Sequence, residues 1–182
     1  MNYAEIKNCD IANGPGVRVS LFVSGCTHRC KGCFNEIAWD FDYGKPFTQQ
    51  TIDMLLEMLA PGYMKGITLL GGEPFEPENQ PAILDFLRQL KAKHPDKTVW
   101  AFSGYLFDKD ILSGRLGPWE VTREYISYVD VLVDGPFIQE KKDLSLRFRG
   151  SSNQRIIDVP ASLQKGEVVL WEDWQGHRKG MK

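Results

Sequence analysis

An α/β fold built on a largely parallel sheet is predicted by three features of the sequence. Short β-branched runs alternate with segments of helical period, each run ends in a glycine-bearing polar turn, and 42% hydrophobic content over 182 residues suffices for one sizeable core. The first strand spans Val17 to Val23, where Val17, Val19, Leu21 and Val23 alternate with Arg18, Ser20 and Phe22 before Ser24-Gly25-Cys26. A helix follows from Thr48 as N-cap, with Ile52, Leu55, Leu56 and Leu59 on one face, and stops at Pro61-Gly62. Ile67 to Leu70 is the next strand, running into Gly71-Gly72-Glu73-Pro74. A second helix starts near Asn79 or Pro81, carries Ile83, Phe86, Leu87 and Leu90 on one face, and ends in basic residues before Pro95. Thr98 to Phe102 is a third strand, closed by Ser103-Gly104-Tyr105. Short helical pieces at Asp108 to Leu112 and Trp119 to Tyr128 lead to a fourth strand, Val129 to Val133, which ends in Asp134-Gly135-Pro136. Ile156 to Val159 and Val168 to Trp171 read as further strands, and residues 1–182 as a single domain with a frayed tail over about 172–182.

Strand, turn and helix in this order imply βαβ units with right-handed crossovers, so the C-terminal ends of the strands share one face of the sheet. Ligands bind on that face in such folds. Cys26 to Cys33, Gly71 to Pro74, Ser103 to Tyr105 and Asp134-Gly135 each follow a different strand, and are therefore expected to converge on one site.

Charge excludes several partner classes. The 22 basic and 24 acidic residues are interspersed and leave a formal net charge of -2, so no field emerges that would favour nucleic acid or an anionic membrane. No apolar run approaches the roughly 18 residues of a membrane span. Met1 to Gly16 carries Glu5, Lys7 and Asp10 and lacks the apolar core of a secretory leader. The expected compartment is the cytoplasm, where clustered cysteines serve as ligands rather than as bridges.

Cys26, Cys30 and Cys33 form a C-x3-C-x2-C triplet on the turn after the first strand. Three close thiolates suit a metal centre that keeps one coordination position for chemistry. A structural zinc site normally has four ligands, and the available fourth candidates are His28, within the loop, and the distant Cys9. On spacing alone an iron-sulfur cluster, zinc and unligated thiols remain open. Cys9 reads as a small buried residue, and His28 as a solvated loop residue, with adjustment of a cluster as its other reading. Gly71 and Gly72 permit close approach of backbone to a ligand as well as a tight turn, and Glu73 can orient that turn or meet a cation. Ser103 suits a sugar hydroxyl or a turn cap; Asp134 suits a turn or a polar ligand contact.

The triplet followed, after the next strand, by Gly-Gly-Glu-Pro resembles the radical S-adenosylmethionine superfamily. Gly14-Pro15-Gly16-Val17-Arg18, then Phe22 and Gly25-Cys26, resembles its glycyl-radical activases. Cys26-Thr27-His28-Arg29-Cys30-Lys31-Gly32-Cys33-Phe34-Asn35, with Ser103-Gly104-Tyr105, Val133 to Phe137 and Arg149 to Gln154, is similar to the activators of anaerobic (class III) ribonucleoside-triphosphate reductases. Many superfamily members place an aromatic residue before the third cysteine, where this chain has Gly32; the reductase activators share the glycine.

The resemblance implies an incomplete, open (β/α) barrel, with one [4Fe-4S] cluster on Cys26, Cys30 and Cys33 whose fourth iron is chelated by S-adenosylmethionine. It implies reductive cleavage of that cosubstrate to a 5′-deoxyadenosyl radical, which takes a hydrogen atom from a glycine of the reductase large subunit. Cosubstrate contacts would come from the backbone of Gly32, Cys33 and Phe34, from Gly71, Gly72 and Glu73 at the methionyl amino group, and from Ser103 and Asp134 at ribose or methionine. A flavodoxin-like or ferredoxin-like protein would donate the electron, and no acid-base residue is required. The alternatives are an activase of another glycyl-radical enzyme, of the pyruvate formate-lyase type, and a non-enzymatic zinc-binding interaction protein.

Overall fold

The computed structural model describes residues 1–172. The predicted frayed tail lies almost wholly outside the described residues. Seven strands form one sheet: β1 (Asn2–Asp10), β2 (Val17–Val23), β3 (Lys45–Pro46), β4 (Met64–Gly71), β5 (Thr98–Phe102), β6 (Val131–Asp134) and β7 (Arg155–Asp158). Their order across the sheet is β3-β1-β2-β4-β5-β6-β7. Helices α1 (Gln49–Leu59), α2 (Gln80–Lys93) and α3 (Trp119–Ser127) cross between β2 and β4, β4 and β5, and β5 and β6, and those four strands run parallel. α4 (Val159–Lys165) follows β7.

The helices form where the periodicity places them. Thr48 caps α1 through reciprocal contact with Thr51, and Ile52, Leu55, Leu56 and Leu59 are buried. Pro81 sits in the first turn of α2, where its missing N–H has no helical partner to lose, and Lys91 and Lys93 occupy the last turn, where they favour the helix dipole. These apolar faces pack with Val19, Leu21, Ile67, Leu69, Val99 and Leu132 on one side of the sheet.

The opposite face is also covered, which explains why β2 is buried on both sides. Arg18 is 1% exposed there and lies across the neighbouring strands. Its guanidinium donates to Thr68 Oγ1 (2.8 Å), Thr98 Oγ1 (3.0 Å) and the carbonyls of Ile67 and Thr98 (2.7 and 3.0 Å). Burial without a carboxylate in contact brings its pKa down to about 10. Farther along, Trp100, Val131, Val133 and Ile156 form a smaller apolar cluster closed by Phe148 and Trp171.

The structure corrects the sequence at both edges of the sheet. β1, not expected, pairs antiparallel with β2, and β7 returns antiparallel to β6 because the connection between them holds no crossover helix. Val168 to Trp171 is not a strand; Leu170 makes a single bridge to Ile157. Cys9, expected to be buried, is exposed, with φ of 59°, where the β1–β2 register shifts between Lys7 and Asp10 and turns the residue outward. No described helix is long and apolar enough to cross a membrane.

Candidate metal centre

The cysteine loop leaves the C-terminal end of β2 and is held at its root by the start of the Gly-Gly-Glu turn. Gly72 N–H donates to Val23 O (2.7 Å) and Glu73 N–H to Gly25 O (2.8 Å), while Gly25 and Cys26 donate to the carbonyls of Ala38 and Trp39 (2.9 and 3.1 Å). A Cβ on Gly72 would lie 2.5 Å from Gly25 O, so only glycine lets the two segments meet.

All three thiols are free and partly buried. They line one cavity of about 540 Å³ together with Gly71, Gly72 and Ser103. Asn35 N–H donates to the Cys33 sulfur at 3.4 Å, and the backbone N–H groups of His28 and Arg29 near Cys26 and of Phe137 near Cys30 favour the thiolate form of those residues. Such bonds are how proteins tune cluster sulfurs. Burial pushes the Cys26 thiol up to about 12, with Glu73 and Glu76 adding to the rise against the two N–H donors. Burial also raises the Cys30 thiol. Among the described residues no three His, Cys, Asp or Glu side chains converge on a point that would hold a single ion. A cubane cluster does not ask for that, since its protein thiolates each bind a different iron.

Glu73 is 1% exposed and works inward. Its carboxylate accepts from Phe75 N–H (2.8 Å), Ser103 Oγ (2.9 Å), Gly104 N–H (2.7 Å) and His28 Nε2 (3.1 Å). Its own carbonyl takes Asn79 Nδ2 at 3.0 Å and Glu76 N–H at 3.2 Å. The carbonyls of Gly71 and Gly72 thus remain the better candidates for an amino group. Ser103 lines the cavity, but its hydroxyl is engaged by Glu73 and by Tyr105 N–H. Gly32 and Cys33 lie on the cavity wall with Phe34, whose residue surface is 84% exposed.

Two expectations need correction. Asp134 is fully buried, accepts both Nε and Nη2 of Arg155 together with Phe107 N–H, and is absent from the cavity wall; its carboxylate is a structural anchor. His28 is not a solvated loop residue: its side chain is 18% exposed, bonds Glu73, and packs against Tyr105 with ring centroids 4.3 Å apart and the planes tilted by 59°. Burial favours its neutral form, but the bond and charge of Glu73 prevail and hold its pKa above the usual histidine value.

Two residues were missed. Glu76 is 4% exposed and binds Thr27 in the cysteine loop; the only hint was a second acid three residues after Glu73. Arg149 lines the cavity, donates from Nη1 to Gln154 O, and keeps a buried Nε without a protein acceptor among the described residues. That donor fits a carboxylate-bearing ligand; the sequence marked Arg149 only as the first residue of a segment that carries the family resemblance, with no role attached.

Residues 12–157 match the sequence profile of a family described as a 4Fe-4S single cluster domain. The anaerobic ribonucleoside-triphosphate reductase-activating protein of Pasteurella multocida is 42% identical over 158 residues, covering 86% of this chain and 96% of that one. The chain belongs to this activating-protein family. Other members similar to it are the proteins of the same name from Escherichia coli K12, 41% identical over 85% of this chain and 96% of that one, and from Enterobacteria phage T4, 40% identical over 86% and 93%. The family's single-cluster description agrees with one cysteine triplet on one cavity.

Proposed function

We propose that the chain holds a [4Fe-4S] cluster on Cys26, Cys30 and Cys33, cleaves S-adenosylmethionine reductively, and installs a glycyl radical on an anaerobic ribonucleoside-triphosphate reductase. The observation that carries this reading is the meeting of the three thiols with Gly71 and Gly72 on one cavity, in a chain of the activating-protein family. The residues fit both cofactors: a Cys33 sulfur that accepts a backbone N–H suits cluster ligation, and the Nε of Arg149, without a protein acceptor among the described residues, suits the methionyl carboxylate. When bound, the cluster supplies the electron that breaks the sulfonium carbon-sulfur bond, and with it the radical chemistry.

The protein's own part is positioning. Gly71 and Gly72 expose carbonyls to the methionyl amino group, the backbone of Gly32 to Phe34 borders the adenosyl side, and Ser103 stiffens the wall by tying Glu73 to the next strand end. Asp134 acts at a remove, fixing the loop after β5 through Phe107 and the start of β7 through Arg155. The sheet face that bears this cavity is read as the inside of an incomplete barrel, a reading supported by four parallel strands with crossover helices on the other side. On the same reading residues 1–182 are one cytoplasmic domain, served by a flavodoxin-like or ferredoxin-like electron donor.

The test is anaerobic reconstitution with iron and sulfide, reduction in the presence of S-adenosylmethionine, and measurement of 5′-deoxyadenosine with and without the reductase. A brown protein that forms 5′-deoxyadenosine and a glycyl-radical signal on the reductase is expected. Zinc content without cleavage would sink the reading. Cys30→Ala should fall to the uncatalysed background; full turnover in that variant would refute the ligand assignment.

A further inference from the structure

Between the first two cysteines lie Thr27, His28 and Arg29, and two of these three are fastened to carboxylates of one turn. Glu76 Oε1 accepts the backbone N–H of Thr27 at 2.7 Å and its hydroxyl at 2.6 Å. Three residues earlier, Glu73 Oε2 accepts from His28 Nε2 at 3.1 Å. The imidazole is fixed from two further sides, by the Tyr105 ring and by Gly104, where a Cβ would fall 2.6 Å from it.

Both carboxylates are buried, and among the described residues no lysine or arginine pairs with either. Burying an acid without a cation is costly, so the donors that satisfy these two carry structural weight. Almost all belong to three segments: the cysteine loop, the turn itself, and Ser103-Gly104. Their charges also lie close to the first ligand, since Glu76 bonds the residue next to Cys26 and Glu73 the residue after that.

We propose that Glu76, through Thr27, is a positioning residue that clamps the cluster loop to the Gly71-Gly72 turn in parallel with Glu73 and His28, and that its charge holds the cluster at a more negative reduction potential. The inference rests on the iron-sulfur reading above. Geometry follows from the bonds: Thr27 adjoins Cys26, and Glu76 belongs to the turn that begins at Gly71, so cluster and cosubstrate sites keep a fixed spacing. The potential follows from charge. Reduction adds one electron to a centre already surrounded by thiolates, and a nearby carboxylate in a low-dielectric setting disfavours that addition. With Glu76 charged, a cluster held there would, once reduced, be a stronger one-electron donor.

Three variants separate charge from geometry. Glu76→Gln keeps an acceptor for Thr27 and removes the charge; its cluster, titrated potentiometrically with detection by electron paramagnetic resonance, should show a midpoint less negative than wild type, with iron retained. Glu76→Ala loses the clamp as well, so iron retention on desalting should drop and KM for S-adenosylmethionine should rise by roughly 10-fold, the scale of outer-shell effects at metal sites. Thr27→Val removes only the hydroxyl and should raise KM to a lesser degree while leaving the midpoint at the wild-type value. A wild-type midpoint in Glu76→Gln would overturn the charge role; wild-type iron retention and KM in Glu76→Ala would overturn the clamp. If Glu76→Ala precipitates, a wild-type KM in Thr27→Val overturns the clamp instead. A wild-type protein that neither binds a cluster nor cleaves S-adenosylmethionine would refute the proposed function itself, whereas indifferent variants of an active wild type refute this inference alone.

Discussion

Two buried carboxylates stand at the C-terminal ends of parallel strands in the same sheet, Glu73 just past β4 and Asp134 closing β6. Each takes a backbone N–H from a loop, Phe75 two residues on for Glu73 and Phe107 in the connection after β5 for Asp134. They differ in what answers the charge. Asp134 meets a guanidinium bidentately, and Asp108 shares that arginine, so its acceptors are closed by residues of the scaffold. Glu73 meets an imidazole, a hydroxyl and two amides, and one of those donors belongs to the cysteine loop. A buried acid facing a fixed arginine serves the fold; a buried acid whose donors come from a ligand-bearing loop transmits position to the site.

The contrast breaks most visibly at Arg155. Arg155→Met leaves Asp134 as an uncompensated buried charge and should cost about 3–5 kcal/mol in chemical denaturation of the cluster-free protein. Adding Asp134→Asn to that variant should recover most of the loss, because the pair is then removed together and the amide oxygen can still accept Phe107 N–H. A double variant no more stable than the single would place Asp134 in the site after all.

Gly104→Ala probes the other carboxylate. Its Cβ would need to sit 2.6 Å from the His28 ring, so the imidazole must move off Glu73. Stability should fall by about 1–3 kcal/mol, as overpacking does. kcat/KM for 5′-deoxyadenosine formation should fall by up to about 10²-fold, as displacement of a reacting group by an ångström can do. Loss of stability with unchanged turnover would make Glu73 as purely structural as Asp134.

The smallest effect concerns pH. Arg155 holds the Asp108 carboxyl below its ordinary value, chiefly by their hydrogen bond. A depressed folded-state pKa contributes stability that is full above the unfolded value of about 3.9 and is lost as pH falls through the lower folded value. Asp108→Asn should therefore flatten the decline of stability below about pH 4 in denaturation series. An unchanged slope would remove Asp108 from the Arg155 network.

Much of this arrangement was legible before any coordinates. Alternating strand and helix patterns placed the Cys26, Gly71, Ser103 and Asp134-Gly135 segments at one end of a parallel sheet, and the cavity brings all four together, the last through Gly135 rather than Asp134. The core face of α1 could be read from Ile52, Leu55, Leu56 and Leu59, because burial there follows helical period. The antiparallel edges were not legible. β1 reads Asn-Tyr-Ala-Glu-Ile-Lys-Asn-Cys-Asp, with polar and charged residues where a buried strand would be apolar, since much of it is exposed. The direction of β7 depends on a connection without a helix, and no residue in the strand states it. Asp134 could be read as a turn or a ligand contact because its partner lies 21 residues away, and Glu76 drew no reading because Thr27 lies 49 residues away. Long-range partners leave no local period.

Those separations also set an order of events during synthesis. The bonds that receive the cysteine loop span 49 residues from Thr27 to Glu76 and 45 from His28 to Glu73. At a translation rate of about 5–20 residues per second, Thr27 precedes Glu76 from the ribosome by roughly 2–10 s. During that interval the nascent thiols have neither the carboxylates nor the glycine turn that later encloses them, and they meet solvent oxidants as ordinary cysteines. On the proposed ligand assignment, iron loading would belong after synthesis has passed Gly104, once the segments that enclose the thiols are all present.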